Sequence, residues 1–193
     1  MVSVLMITYG HEKYIRQAIE GVLMQETDFD FELIVANDNS PDNSDKVIVD
    51  LIENHPKGKL IKYIDRKNNI GMQANFSDAY SNCSGKYIAN CEGDDYWTDP
   101  HKLQKQVDFL EANPMFSICW TKFHTLSEVN STTVLEAPDW IDSVPSDMNF
   151  NIDLNNIFTP YCTYTLTCLF RRDSLNLNLF RGVRSSKILI KII

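Results

Sequence analysis

Two adjacent aspartates, Asp94 and Asp95, are the side chains here whose type and spacing most directly imply chemistry. They follow an apolar run over residues 86–91, with Glu92-Gly93 before them and Tyr96-Trp97 after. Neighbouring carboxylates repel and raise each other's pKa unless a cation lies between them. Their hard oxygens suit Mg²⁺ or Mn²⁺, ions that commonly bridge protein carboxylates to phosphate oxygens. Aromatics beside such a turn can present a flat apolar face to a sugar or base. A bare Asp-Asp can also be a solvated turn, and the flanking glycine and aromatics weigh against that. No other phosphate cradle is visible: the chain has neither G-x-x-x-x-G-K-[ST] nor a G-x-G-x-x-G after its first apolar run.

Asp38, between Asn37 and Asn39, is the second candidate. It could accept a hydrogen bond from a base N–H such as uracil N3, or serve as a helix N-cap or Asx-turn. Tyr9 could stack on that base or be a rim aromatic. His11, His55, His101 and His124 show no ligand spacing and read as structural or surface residues. Cys83, Cys91, Cys119, Cys162 and Cys168 form no C-x-x-C pair and suggest neither a zinc site nor a disulfide framework, so a reducing compartment fits.

These residues need elements to position them. Strand-like runs at 2–7, 31–36, 60–64, 86–91 and 116–123 alternate with helical periodicity at 12–25, after Ser44, at 72–82 and after Pro100. Such alternation predicts an α/β fold with a mostly parallel sheet and right-handed crossovers. Residues 125–160 lose the alternation and read as loops with an edge strand near 132–135. Residues 166–170 read as a returning strand. In open parallel sheets ligands bind beyond the carboxyl ends of the strands. Thr8-Tyr9, Asn37-Asp38-Asn39, Asn68-Asn69-Gly71 and Asp94-Asp95 would all fall on that one edge. A single polar cluster could be an ordinary turn, but four together argue for a site.

At 193 residues the chain can bury about 70% of its unfolded surface without disulfides or metal. Its net charge is −8. Arg171, Arg172, Arg181, Arg184, Lys187 and Lys191 face only Asp173 in the last stretch, so the body is more acidic than the total. An acidic body argues against nucleic acid as partner. An anionic substrate would need a cation or backbone N–H groups to hold it. No basic leader precedes the short apolar start, and no run reaches the length of a bilayer span, so a cytoplasmic protein is expected.

The opening Val2-Ser3-Val4-Leu5-Met6-Ile7-Thr8-Tyr9 and the segment Asn37-Asp38-Asn39-Ser40-Pro41-Asp42 carry a resemblance. So do the block Glu92-Gly93-Asp94-Asp95-Tyr96-Trp97 and the run Lys102-Leu103-Gln104-Lys105-Gln106. Together they resemble family 2 glycosyltransferases of the GT-A fold, a Rossmann-like, mostly parallel sheet flanked by helices. The likeness is strong over 1–125 and continues more weakly to Leu169-Phe170-Arg171-Arg172. It divides the chain into a nucleotide-sugar-binding core (1–125), an acceptor-side region of the same domain (126–173) and an atypical basic, apolar tail (174–193).

The resemblance implies a nucleotide-diphosphate sugar donor with a lean to UDP, Mn²⁺ or Mg²⁺, and inversion at the anomeric carbon. The acceptor would be a glycan or lipid-linked hydroxyl in surface-glycan synthesis. Carried over by position, Thr8 and Tyr9 would line the nucleoside pocket and Asp38 would take the base. Asn69, Gly71 and Asn75 would border the ribose and diphosphate. Asp94 would approach the ribose or sugar, Asp95 would bind the metal, and Glu92 is a less defined contributor. Gly10 stands where the family often has asparagine. Family members continue past Arg171-Arg172 to a carboxylate that acts as general base, whereas residues 175–193 hold no acid. The base is therefore unassigned among Glu136, Asp139, Asp142, Asp147 and Asp153. The alternatives are a truncated relative that binds without turnover and, in another class, a nucleotidyltransferase. The tail's mixture of lysines and isoleucines could touch the inner face of a membrane.

Overall fold

A computed structural model describes residues 1–129, 132–136 and 165–174. Seven strands and four helices position the site: β1 (Val2–Thr8), α1 (Ile15–Leu23), β2 (Phe31–Asn37), α2 (Ser44–Asn54), β3 (Ile61–Asp65), α3 (Met72–Ser81), β4 (Tyr87–Asn90), α4 (Lys102–Ala112), β5 (Ile118–Cys119) and the hairpin β6 (Thr125–Val129) and β7 (Thr132–Glu136). An eighth strand, β8 (Leu169–Arg171), comes from far downstream. The main sheet runs β3-β2-β1-β4-β8-β5, with β3, β2, β1 and β4 mutually parallel and β8 antiparallel to both its neighbours.

β1 and β2 are buried along almost their whole length because helices cover both faces, which is why their sequences are near-continuous apolar runs. Side chains alternate across them. Val2, Val4 and Met6 join Ile15, Ile19, Ile48, Leu103 and Leu110 in the core beneath α1, α2 and α4. Leu5, Ile34 and Ile88 meet Ala79 and Tyr80 of α3, with Phe170, on the other face.

Two expectations are corrected and one is met. The strand expected over 116–123 shrinks to Ile118–Cys119, because its partner β8 offers only three residues to pair with. The segment at 132–135 is a strand, but it pairs with β6 in a separate two-stranded sheet and is not an edge of the main one. The returning strand sits between β4 and β5. The acids at 139, 142, 147 and 153 and the tail from 175 onward lie outside the described residues. No described helix is long and apolar enough to cross a membrane.

Glu32 ties the amino-terminal edge of the sheet together, opposite the candidate site. It is 5% exposed. Its Oε1 accepts from Ser3 Oγ (2.5 Å), Ser84 N (2.8 Å) and Ser84 Oγ (2.7 Å), and Lys62 Nζ lies 2.5 Å from Oε2. Burial opposes ionisation, yet the hydrogen bonds from Lys62, Ser3 and Ser84 outweigh it and hold the carboxyl at about 2 rather than 4.5. A depressed folded-state pKa contributes stability that is full above 4.5 and lost as pH falls towards 2. The contribution is on the order of 3 kcal/mol. Urea unfolding of the parent should weaken by about that amount between pH 6 and pH 2 through this group, and Glu32→Gln should flatten the dependence. An identical pH profile in the variant would refute the assignment.

Candidate functional site

The register aligns the carboxyl ends of the strands. Thr8 pairs with Asn37, and Asn37 with Asp65. Past the end of β4, Cys91 N and Gly93 N still donate to Leu5 O and Ile7 O, which carries the Glu92–Asp95 turn alongside β1. Beyond these ends opens a cleft of about 360 Å³. Thr8, Tyr9, Asp38, Asn69, Gly71, Asn75 and Asp94 all line it, so the structure brings together every nucleotide-sugar candidate named from the sequence. Tyr9 is half exposed at the rim, whereas Thr8, Asp38 and Asn75 are buried.

Three of these side chains already serve the cleft's own walls. Asp38 accepts Ile70 N on Oδ1 (2.8 Å) and Gly71 N on Oδ2 (2.9 Å), clamping the loop before α3. Each carboxylate oxygen keeps a second lone pair for a ligand. Asn69 Oδ1 also accepts Gly71 N, at 3.0 Å. Gly71 has φ +86°, a left-handed conformation that costs a side-chain-bearing residue energy. Asn75 donates to Ala36 O (2.9 Å) and accepts from Arg66 Nε (2.7 Å), so its amide anchors α3 to the end of β2. Arg66 pairs with Asp78 at 2.6 Å and gives a cation beside the cleft that sequence reasoning passed over.

The acidic turn divides its labour by depth. Asp94 lines the cleft and is about half exposed. Asp95 is not among the lining residues. Burial, then the charges of Glu92 and Asp94, push its carboxyl up to about 7. Glu92 lines the cleft, accepts from Thr165 Oγ1 at 2.5 Å, and keeps a buried Oε2 without a partner. A half-buried carboxyl whose charged form is made costly by burial and by neighbouring like charges is a position a cation would relieve. The donor set, carboxylate oxygens at a phosphate-sized cleft, fits Mg²⁺ or Mn²⁺. Among the described residues no three ligating side chains converge enough to cage a metal alone. Phosphate oxygens and water would complete its coordination, as is usual for Mg²⁺ at nucleotide sites.

Two expectations change here. Trp97 is not a sugar platform: it is 4% exposed, its indole N–H donates to Leu166 O (3.0 Å), and the Lys102 ammonium lies 4.1 Å from its ring centre. Its apolar area is spent on the core, and only its polar handle reaches the neighbouring turn. Trp97 also marks a close approach: a Cβ on Gly21 of α1 would fall 2.9 Å from the Trp97 backbone N and O, so only glycine lets that helix rest on the turn. His11 is a lining residue, not a remote one. Its signal was its place three residues after Thr8, at the same sheet edge. Of the acids considered as general base, only Glu136 is described, and it lies on β7 outside the main sheet.

The family model described as Glycosyl transferase family 2 matches residues 3–176. The chain belongs to glycosyltransferase family 2. An uncharacterized protein of Mycobacterium tuberculosis is 42% identical to it over 126 residues, 65% of this chain and 36% of that protein. The putative glycosyltransferase EpsE of Bacillus subtilis is 32% identical over 120 residues, 62% of this chain and 42% of its own. This chain thus spans well under half the length of these curated relatives. Among solved structures, TarS of S. aureus in complex with UDP superposes with a TM-score of 0.64 at 22% identity, covering 92% of this chain and 48% of that one. The mannosyltransferase PcManGT of Pyrobaculum calidifontis, in complex with GDP-Man and Mn²⁺, gives 0.65 at 16% identity, covering 94% and 46%. At such identities the likeness establishes the GT-A glycosyltransferase fold.

Proposed function

We propose that this family 2 chain is the donor-binding core of a metal-dependent, inverting glycosyltransferase. It would move a sugar from a nucleoside-diphosphate donor, a UDP-sugar, to an acceptor hydroxyl. The observation that carries this reading is one cleft lined by Tyr9, Asp38, the Asn69–Gly71 loop and Asn75 on one side and by Glu92 and Asp94 on the other. The solved relatives bound to UDP and to GDP-Man with Mn²⁺ support it.

In this reading Tyr9 stacks on the base while Asp38 accepts its N–H and holds the loop that borders the ribose. Asp94, about half exposed, accepts from donor hydroxyls. Asp95, backed by Glu92, holds the cation. When bound, that cation neutralises charge developing on the departing diphosphate. The acceptor hydroxyl enters from the acceptor-side region, 126–173, where a carboxylate would take its proton. A glycan or lipid-linked acceptor in surface-glycan synthesis, at the inner face of a membrane, extends the same reading through the basic tail.

Calorimetry with UDP decides the core of the proposal. The chain should bind UDP with Mn²⁺ and lose about tenfold or more in affinity when the metal is chelated. Binding that ignores the metal, or no binding, would remove the proposal's basis.

A further inference from the structure

We propose that His11 is a positioning residue for Asp94, the last link of a Thr8–His11–Asp94 relay built into the cleft wall. The inference rests on the donor-site reading above and deepens it. Three observations converge. His11 Nε2 lies 3.8 Å from Asp94 Oδ2. The other ring nitrogen, Nδ1, is buried without a partner, as is Thr8 Oγ1 on a residue only 2% exposed. Both orphaned atoms press on one point: a Cβ built on Gly93 would stand 2.6 Å from Thr8 Oγ1 and 2.8 Å from His11 Nδ1. Thr8 and His11 therefore close over the glycine that directly precedes Asp94.

The chemistry of the three groups fixes the proton order. A carboxylate only accepts, so a neutral imidazole facing Asp94 must carry its hydrogen on Nε2. Nδ1 is then an acceptor, and the hydroxyl of Thr8 is the donor at hand. Donation runs from Thr8 to His11 to Asp94 and ends on the carboxylate that faces the cleft. The backbone holds the ring to this task. His11 N donates to Ser44 Oγ (3.1 Å), and His11 O accepts from Tyr14 N and Ile15 N (2.9 Å each), pinning the residue between the starts of α1 and α2. In this structure His11 Nε2 stands 3.8 Å from Asp94 Oδ2 and no hydrogen bond joins Thr8 Oγ1 to His11 Nδ1; in the proposed relay both contacts tighten when a donor engages Asp94, as hydrogen bonds of this kind commonly do on binding.

The test is calorimetry of UDP and of GDP, each with Mn²⁺, on the parent and on His11→Ala, His11→Asn and His11→Gln. The amide nitrogen of glutamine reaches the place of Nε2, whereas that of asparagine reaches only the place of Nδ1. Alanine and asparagine should weaken binding about tenfold, and glutamine should restore it to within about threefold. Melting temperatures without ligand should agree within a few degrees across the series, because a part-exposed side chain is replaced. Alanine binding as tightly as the parent, or all three variants weakened alike, would overturn the relay. Failure of the parent to bind either nucleotide would overturn the donor-site reading and the relay together.

Discussion

Asp95→Asn should abolish metal-dependent nucleotide binding while making the metal-free protein more stable. The carboxyl is half buried, beside Glu92 and Asp94, and is pushed up to about 7. Removing a ligand of a site that has only a few protein carboxylates should cost about a hundredfold or more in metal-supported affinity. The stability change has the opposite sign. A carboxyl whose folded-state pKa lies above its ordinary 3.8 is a net cost once ionised, so the benefit of asparagine is greatest above pH 7 and vanishes below 3.8. The upper bound is about 4 kcal/mol. Solvent screening at this depth brings the expected gain to about 1–2 kcal/mol at pH 8. Calorimetry with UDP and Mn²⁺, paired with urea unfolding at pH 8 and pH 4, reads both effects. A variant that keeps the metal response, or is less stable at pH 8, would show that Asp95 is not the strained cation-binding group.

Asp38→Asn should open the loop before α3 and take nucleotide affinity with it. The wild-type carboxylate accepts two backbone N–H groups, Ile70 N and Gly71 N, at 2.8 and 2.9 Å. An amide offers only one accepting oxygen, so its NH₂ would face one of those donors. Losing one such part-buried hydrogen bond costs about 0.5–1.5 kcal/mol. Hydrogen exchange at Ile70 and Gly71 should accelerate, and UDP affinity in the presence of Mn²⁺ should fall at least tenfold, because Asn69 and Gly71 line the cleft. If exchange at both amides is unchanged, the clamp carries no weight and Asp38 acts on the ligand alone.

The two variants differ in how far the sequence foresaw them. That Asp38 and Asp95 belong to one sheet edge follows from apolar runs ending in polar clusters, since parallel strands share their carboxyl ends. That Asp38 spends its oxygens on a loop thirty residues away depended on where the chain leading into α3 returns. Trp97 shows the same divide. Its type fits a sugar platform, but the face it turns is decided by Lys102 below it and by the turn at 165–167, which comes from a distant part of the chain. His11 was legible only by its nearness to Thr8.

By itself the sequence determined the α/β alternation, the four parallel strands, the edge that carries the site and seven of the residues lining it. Hydrophobic period and strand ends are local properties, and a parallel sheet converts them directly into position. Tertiary structure alone decided the order of the far strands, with β8 inserted antiparallel beside β4, and the sharing of roles among Glu92, Asp94 and Asp95. Burial and the approach of like charges depend on which distant segments pack together, and adjacent letters cannot specify that.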